Sequence, residues 1–312
     1  MLITTERPAA RRLLLIVNPN AGKRSARASF FSLCDGFTKG GYEVTAYPTQ
    51  CAGDAARVAR EKGGDFDLIV CSGGDGTFSE VIGGLSEQQD APPVAYIPAG
   101  TMNDYAFSLG LPSQPKQAVA SILSGTPRKI DMGRFNGRPF SYSAAFGLMS
   151  EVSYTTSQEA KNTLGRLAYF FEGLRHFSEM RVYHVRIDAD GTVYEDDYAF
   201  CLVSNSLSVG SVLKYDPASV EFDDGLFEVM LVRDPGSQAV LTRVMLGALN
   251  QLYDEEYILR FRAAKLELVC GEEMEWTLDG EYGGACSAVS IHNIKQAYTL
   301  LSTPADLSSK AE

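Results

Sequence analysis

The sequence predicts two domains of different class: an α/β domain with a parallel sheet over residues 10–130 and an antiparallel β-sandwich over 131–304, with the site in the cleft between them. Three observations predict this. At 312 residues the chain exceeds one ordinary domain and can bury a substantial core. Its first part alternates short apolar runs with amphipathic helical periods, the pattern of βα units on a parallel sheet. Beyond Pro127 strand-like runs are punctuated by Asn136-Gly137 and Asp190-Gly191, dipeptides suited to two-residue hairpins.

Taken in order, Leu13 to Asn18 is the first strand. Phe30, Leu33, Cys34 and Phe37 share one helix face, and Gly40-Gly41 ends that helix. Tyr42 to Tyr47 is a second strand, and Asp54 caps a helix that runs to Lys62 before Gly63-Gly64. Asp67 to Cys71 reads as a buried central strand. Phe78, Val81, Ile82 and Leu85 then recur at i, i+3, i+4 and i+7, one apolar helix face. Val94 to Ala99 is a further strand, followed by a loop to Asp104 and a helix over 114–124. In the second domain strands are expected at 197–203, 226–232, 264–269, 274–278 and 288–292, and Tyr183, Val185 and Ile187 alternate with polar neighbours. Helices are expected at 164–177 and 238–253, and residues 305–312 read as a disordered tail.

Composition narrows the function classes. Acids outnumber bases 39 to 28, a net charge of −11, which argues against a nucleic-acid partner and a broadly basic membrane face. Six scattered cysteines form no CxxC pair, so a zinc site is not indicated, and a reducing cytoplasm is the simplest setting. No run reaches the ~20 apolar residues of a membrane span, so any membrane contact is expected to be transient and peripheral. A homodimer is compatible with the chain.

Between the third strand and its helix lies Ser72-Gly73-Gly74-Asp75-Gly76-Thr77. Glycines here permit close approach of a ligand, and the N–H groups of the following helix face an anion, most often phosphate. The spacing is neither a Walker A loop, since Val17 and Arg24 stand where Gly22-Lys23 would need glycine and Ser/Thr, nor a dinucleotide fingerprint, since Ser79 takes the third glycine's place. A tight turn without ligand is the alternative for this segment alone. Polar, glycine-bearing loops also follow the other strands: Asn18 to Lys23, Thr49 to Asp54, and Pro98 to Asp104. Open α/β sheets bind ligands at that edge.

NPNAGK at 18–23, GDAARVA at 53–59, GGDGTFSEV at 73–81, PAGTMNDYAFSLGLP at 98–112, DDGLFEV at 223–229 and LDGE at 278–281 together resemble the diacylglycerol kinase catalytic family, which includes bacterial lipid kinases and, more remotely, sphingosine and ceramide kinases. GGDGT alone is shared with NAD kinases and phosphofructokinases; its combination with PAGTxND and a late DGE is specific to the lipid-kinase branch. The resemblance implies ATP-dependent phosphorylation of a lipid hydroxyl, most simply diacylglycerol to phosphatidic acid, at the cytoplasmic membrane surface.

By matching positions, Gly73, Gly74, Asp75, Gly76 and Thr77, with the adjoining Phe78 and Ser79, would contact ATP. Asn18, Thr49, Thr101 and Asn103 would help hold the nucleotide, and Asp75 would act through Mg2+. Lys23, Asp104 and Asp131 would join Asp75 in a charged network. Asp279-Gly280-Glu281 would carry the general base, Glu281 ahead of Asp279, the other acid orienting it or binding metal. A plain Asp-Gly turn is the alternative there. The resemblance also implies a structural metal at Glu221, Asp224 and Leu226, against an ordinary turn before a strand. Departures from the family pattern are Ser79, Gly83-Gly84, and Ser204-Asn205-Ser206 to Gly210 where many members carry glycines; the last bears on the acceptor. The competing functions are an NAD kinase-like phosphotransferase on a soluble substrate and a nucleotide-binding sensor without catalysis.

Overall fold

Strand β1 (Arg11–Val17) buries every side chain from Leu13 to Val17, as a strand covered on both faces must. The computed structural model to which it belongs describes residues 11–22, 25–88, 90–101, 103–147, 181–209, 213–216 and 219–303. β1 pairs in parallel with β2 (Tyr42–Pro48) and β3 (Leu68–Gly73), and β3 with β4 (Val94–Pro98). The order is β2-β1-β3-β4, so half-exposed β2 is an edge. Helices α1 (Ser25–Lys39) and α5 (Pro115–Leu123) cover one face: Leu33, Phe37, Ala118 and Ile122 join Leu13, Leu15, Leu68 and Val70 in a single core. Proline at the first position of α5 suits a helix start, where its missing N–H is not needed. Helix α3 (Asp75–Leu85) buries Phe78, Val81, Ile82 and Leu85, the face that its periodicity marks. α2 (Asp54–Lys62) crosses it closely: a Cβ on Gly84 would stand 2.3 Å from the Ala56 carbonyl oxygen. A one-turn helix, α4 (Asp104–Ser108), follows the loop after β4.

The chain divides into two units: one runs through Lys129 and resumes at Tyr298, and the other is Ile130–Ala297. The return is not visible in the strand pattern. Leu300 pairs in parallel with Val94, and Thr303 exchanges hydrogen bonds with Ser121, so the end of the last strand belongs to the first unit.

The second unit is antiparallel. β5 (Thr126–Phe135) turns at Asn136-Gly137 into β6 (Arg138–Phe140). β7 (Ser143–Gly147), β8 (Tyr183–Ala189), β9 (Thr192–Ser204), β12 (Phe227–Arg233), β13 (Ile258–Ala263), β14 (Lys265–Leu278) and β15 (Glu281–Ser302) make the larger ladders. β10 (Ser208–Val209) and β11 (Leu213–Lys214) form a separate short pair. The long strands β9 and β14 each pair with β8 along one stretch and with β7 along another. Alternate residues from them, including Cys201, Val203, Leu266, Leu268, Trp276 and Leu278, close around one core.

Three expectations change here. The runs 264–269 and 274–278 are one strand, because Gly271-Glu272-Glu273 breaks the apolar alternation at a register shift without ending the ladder. The run at 288–292 is the middle of a 22-residue strand. Helix α6 (Gln238–Leu249) begins where Ser237 accepts the Val240 N–H, and stops four residues short of 253, with Gln251 in the left-handed region. The expected helix at 164–177 lies outside the described residues.

Candidate active site

The phosphate-type loop is built by close backbone approach. A Cβ on Gly73 would stand 2.7 Å from Thr77 Cβ, and one on Gly100 would stand 2.8 Å from Gly74 Cα. The ends of β3 and β4 therefore come together on bare backbone, with the Ala99 N–H donating to the Gly73 carbonyl at 2.7 Å. Gly74 is the N-cap of α3, and no side chain caps that helix. Its first N–H groups, with half-buried Gly76 and Thr77, form an anion-ready terminus. The N-terminus of α2 differs. There the Glu80 carboxylate accepts the Gly53 N–H at 2.7 Å and the Ala55 N–H at 3.2 Å, so the protein supplies its own anion.

Several predicted nucleotide residues shape this loop. Asn18 donates its side-chain N–H to Thr77 Oγ1 at 3.0 Å, and its backbone N–H to the Ser72 carbonyl, tying the end of β1 to α3. Thr49 is buried and donates its N–H to the Val17 carbonyl at 2.8 Å. Asn103, in the left-handed region at φ 53°, accepts the Gly100 N–H at 2.9 Å and donates to the Gly100 carbonyl at 2.8 Å. It braces the Gly100–Asp104 loop. Thr101 is exposed on that loop. Phe78 is turned away: its ring is fully buried and stacks on Tyr96 at 4.5 Å. Ser79 Oγ donates back to the Asp75 carbonyl within α3. Lys23 lies outside the described residues.

Asp75 is 9% exposed, at the first position of α3, where the helix dipole favours a carboxylate. Tyr96 OH donates to Asp75 Oδ1 at 3.0 Å, and the Tyr105 N–H approaches Oδ2 at 3.5 Å. Tyr105 follows Asp104, itself 4% exposed at the start of α4. Two acids are thus buried at neighbouring helix starts, a donor set of hard oxygens that suits a small divalent cation shared with phosphates. Tyr96, Tyr105 and Tyr298, whose hydroxyl lies 2.6 Å from that of Tyr105, surround Phe78 and set this floor. The sequence reading missed them because buried tyrosines in apolar runs look like core. Glu80 was missed too, since its partners lie 25 and 27 residues earlier.

On the Thr49 side, Asp54 accepts the Gln50 N–H at 3.0 Å and pairs with Arg57. The Gln50 N–H first, then the Arg57 guanidinium, hold the Asp54 carboxyl below the usual carboxylate range. Cys71, behind the glycine loop, is fully buried, and that burial pushes its thiol up, so it behaves as a small hydrophobe.

In the second unit Asp279 and Gly280 are the two central residues of the β14–β15 hairpin, at φ 51° and 82°. The Asp279 carboxylate is clamped by three consecutive residues. Oδ2 accepts from Ser141 N–H at 2.7 Å and Ser141 Oγ at 3.0 Å; Oδ1 accepts from Tyr142 N–H at 2.9 Å and Ser143 N–H at 3.0 Å. Its own N–H returns to the Ser143 carbonyl. Glu281, first residue of β15, is exposed. The Asp279 carboxylate is thus engaged by backbone donors, and the Glu281 residue is exposed. No sequence pattern pointed to Ser141–Ser143, since the clamp is mostly backbone.

Asp131 is fully buried at the start of the same unit. Its carboxylate accepts the Gly225 and Gln296 N–H groups, each at 2.6 Å, and its N–H donates to the Phe222 carbonyl. Burial nonetheless pushes its carboxyl above the ordinary range. Asp131 thereby holds the turn containing Asp224. Asp224 Oδ1 accepts the Leu226 N–H at 2.9 Å, while Oδ2 is paired with Arg262. Glu221 is exposed.

Comparison with known proteins identifies the two parts of the chain. The diacylglycerol kinase catalytic domain model matches residues 12–135, and the YegS C-terminal NAD kinase beta sandwich-like domain model matches 143–300. The chain is 32% identical over 276 residues to the diacylglycerol kinase of Bacillus subtilis (strain 168), spanning 88% of this chain and 91% of that protein. It is 33% identical over 302 residues to the diacylglycerol kinase of Staphylococcus carnosus (strain TM300), spanning 95% and 96%. A crystal structure of a diacylglycerol kinase from Bacillus anthracis str. Sterne is similar with a TM-score of 0.73 at 25% identity, spanning 96% of this chain and 99% of that one.

Proposed function

We infer the chemistry from a premise that the comparisons establish: the chain belongs to the diacylglycerol kinase family. It is a lipid kinase that transfers the γ-phosphate of ATP to a lipid hydroxyl, with diacylglycerol as acceptor and phosphatidic acid as product. The uncapped start of α3 and the bare backbone of Gly73, Gly74 and Gly100 support phosphate binding in the first unit. Thr49, Asn18 and exposed Thr101 flank the same strand ends and would hold the rest of the nucleotide. Asp75 and Asp104, with the ATP phosphates, would hold Mg2+, which supplies charge neutralisation across the transferring phosphoryl group. Family resemblance adds Lys23 to this set, while the Asp131 carboxylate is held by the Gly225 and Gln296 N–H groups of its own unit.

The observation that carries the assignment of roles is the clamp on Asp279. A carboxylate with both oxygens occupied by protein donors serves as an anchor. It fixes the turn and presents the next acid, Glu281, as general base. As the lipid oxygen bonds to the γ-phosphorus and the bond to the β-phosphate oxygen breaks, the hydroxyl proton passes to Glu281 and ADP leaves. The protein otherwise contributes alignment and electrostatics. The acceptor resides in a membrane, and among the described residues no helix is long and apolar enough to cross one. Contact is proposed to be transient, at the cytoplasmic surface.

The test is transfer of label from γ-labelled ATP to diacylglycerol vesicles with Mg2+. Labelled lipid in the organic phase is expected, and Asp75→Ala should abolish it. No labelled lipid from any extract would overturn the proposal. Label that stays in water would assign a soluble acceptor, the NAD kinase-like alternative.

A further inference from the structure

The turn that family resemblance marks as a structural metal site carries its own cation, and this inference stands apart from the kinase reading. Asp224 has two carboxylate oxygens with two protein donors. Oδ1 takes the Leu226 N–H at 2.9 Å and Oδ2 takes the Arg262 guanidinium. Arg262 comes from β13, paired to β12 so that it stands opposite Glu228, and its Nε lies 3.5 Å from Glu228 Oε1. One guanidinium therefore faces the two acids on either side of the turn's exit. The side chain of Lys295 passes over Gly225, with Lys295 Cδ 3.2 Å from where a Cβ would lie.

A structural metal on such a turn would tie it to its neighbours and neutralise its acid. Both tasks are already met. Asp131 fastens the backbone through the Gly225 N–H and Phe222 carbonyl, and Arg262 neutralises Asp224. A divalent ion would have to displace a guanidinium and sit beside a lysine stem. The donor set does not fit the implied ion.

We propose that Arg262 is the built-in counterion of the 221–226 turn, taking the place of a divalent metal, and that its removal leaves Asp224 and Glu228 as an acid pair able to accept one. The readout is thermal unfolding of the full, nucleotide-free chain in EDTA against millimolar Mg2+, with the metal alone as probe. The wild-type midpoint should be the same in both within about 1 °C. Arg262→Gln should unfold about 2–4 °C lower in EDTA, and should recover part of that loss in Mg2+. Arg262→Lys should stay nearer the wild type and gain less from the metal. A wild-type midpoint raised several degrees by Mg2+, with the rise lost in Asp224→Asn, would overturn the proposal; so would an Arg262→Gln chain as stable as the wild type in EDTA. If Arg262→Gln does not fold, the wild-type and Asp224→Asn pair decides alone.

Discussion

The second unit contains two Asp-Gly hairpins that are locally almost the same turn and serve different ends. Asp190-Gly191 joins β8 to β9 at φ 50° and 89°; Asp279-Gly280 joins β14 to β15 at φ 51° and 82°. Both aspartates spend their carboxylates on backbone N–H groups of a neighbouring segment: Asp190 on Ala264 and Lys265, at 2.7 and 3.0 Å, and Asp279 on Ser141 to Ser143. Both donate their own N–H back to that segment. The difference lies in the next residue, Thr192 in one and Glu281 in the other. The clamped Asp-Gly turn is a structural fastener in both places, and what sets the second apart is the acid that follows it, the proposed base.

That division can be broken by substitution. The largest effect is expected for Glu281→Gln, which keeps size and removes proton-accepting power: kcat should fall by about 10²–10⁴, with the thermal midpoint close to wild type because the residue is exposed. Steady-state kinetics with an unfolding scan checks both halves. Next comes Asp279→Asn, which sets an amide donor against the N–H donors of Ser141 to Ser143. It should lower stability by about 1–3 kcal/mol and kcat by about tenfold to a hundredfold through misplacement of Glu281, leaving KM for ATP unchanged. Asp190→Asn should cost a similar stability with kcat intact; a large loss of kcat there would erase the distinction between the turns.

The smallest expected effect extends the comparison to the first unit, where Asp54 is likewise held by a backbone N–H. Its folded carboxyl lies below the ordinary value, so it contributes stability above about pH 4 that is lost as pH falls through the lower folded value. Asp54→Asn should therefore unfold slightly earlier at pH 7, with the gap from wild type narrowing below pH ~4. A gap constant with pH would show that ionisation of Asp54 does not matter.

Much of the fold was legible because burial imposes periodicity. The face of Phe78, Val81, Ile82 and Leu85 is written at helical spacing, and continuous apolar runs mark β1 and β3 as covered on both sides. Strands of the second unit were harder. Gly271-Glu272-Glu273 interrupts β14 in sequence but not in space, since a ladder tolerates a register shift when both flanks remain paired. In the candidate site, motif spacing found the glycine loop and Asp279-Gly280-Glu281. It did not find Tyr96 beneath Asp75, Glu80 at the α2 terminus, or Arg262 on Asp224, because each contact joins residues far apart in sequence.

The sequence by itself determined what is local: which segments are strand or helix, where glycine must allow close backbone approach, and which acids follow the strand ends. It also carried the family, through several motifs in order. Only the tertiary structure decided how those acids are used. Asp75 is buried against a tyrosine hydroxyl, Asp279 is clamped while Glu281 is exposed, and Asp224 is neutralised by an arginine 38 residues away. The reason is physical. A carboxylate's role depends on the donors that surround it, and a folded chain draws those donors from segments whose separation in sequence leaves no periodic trace.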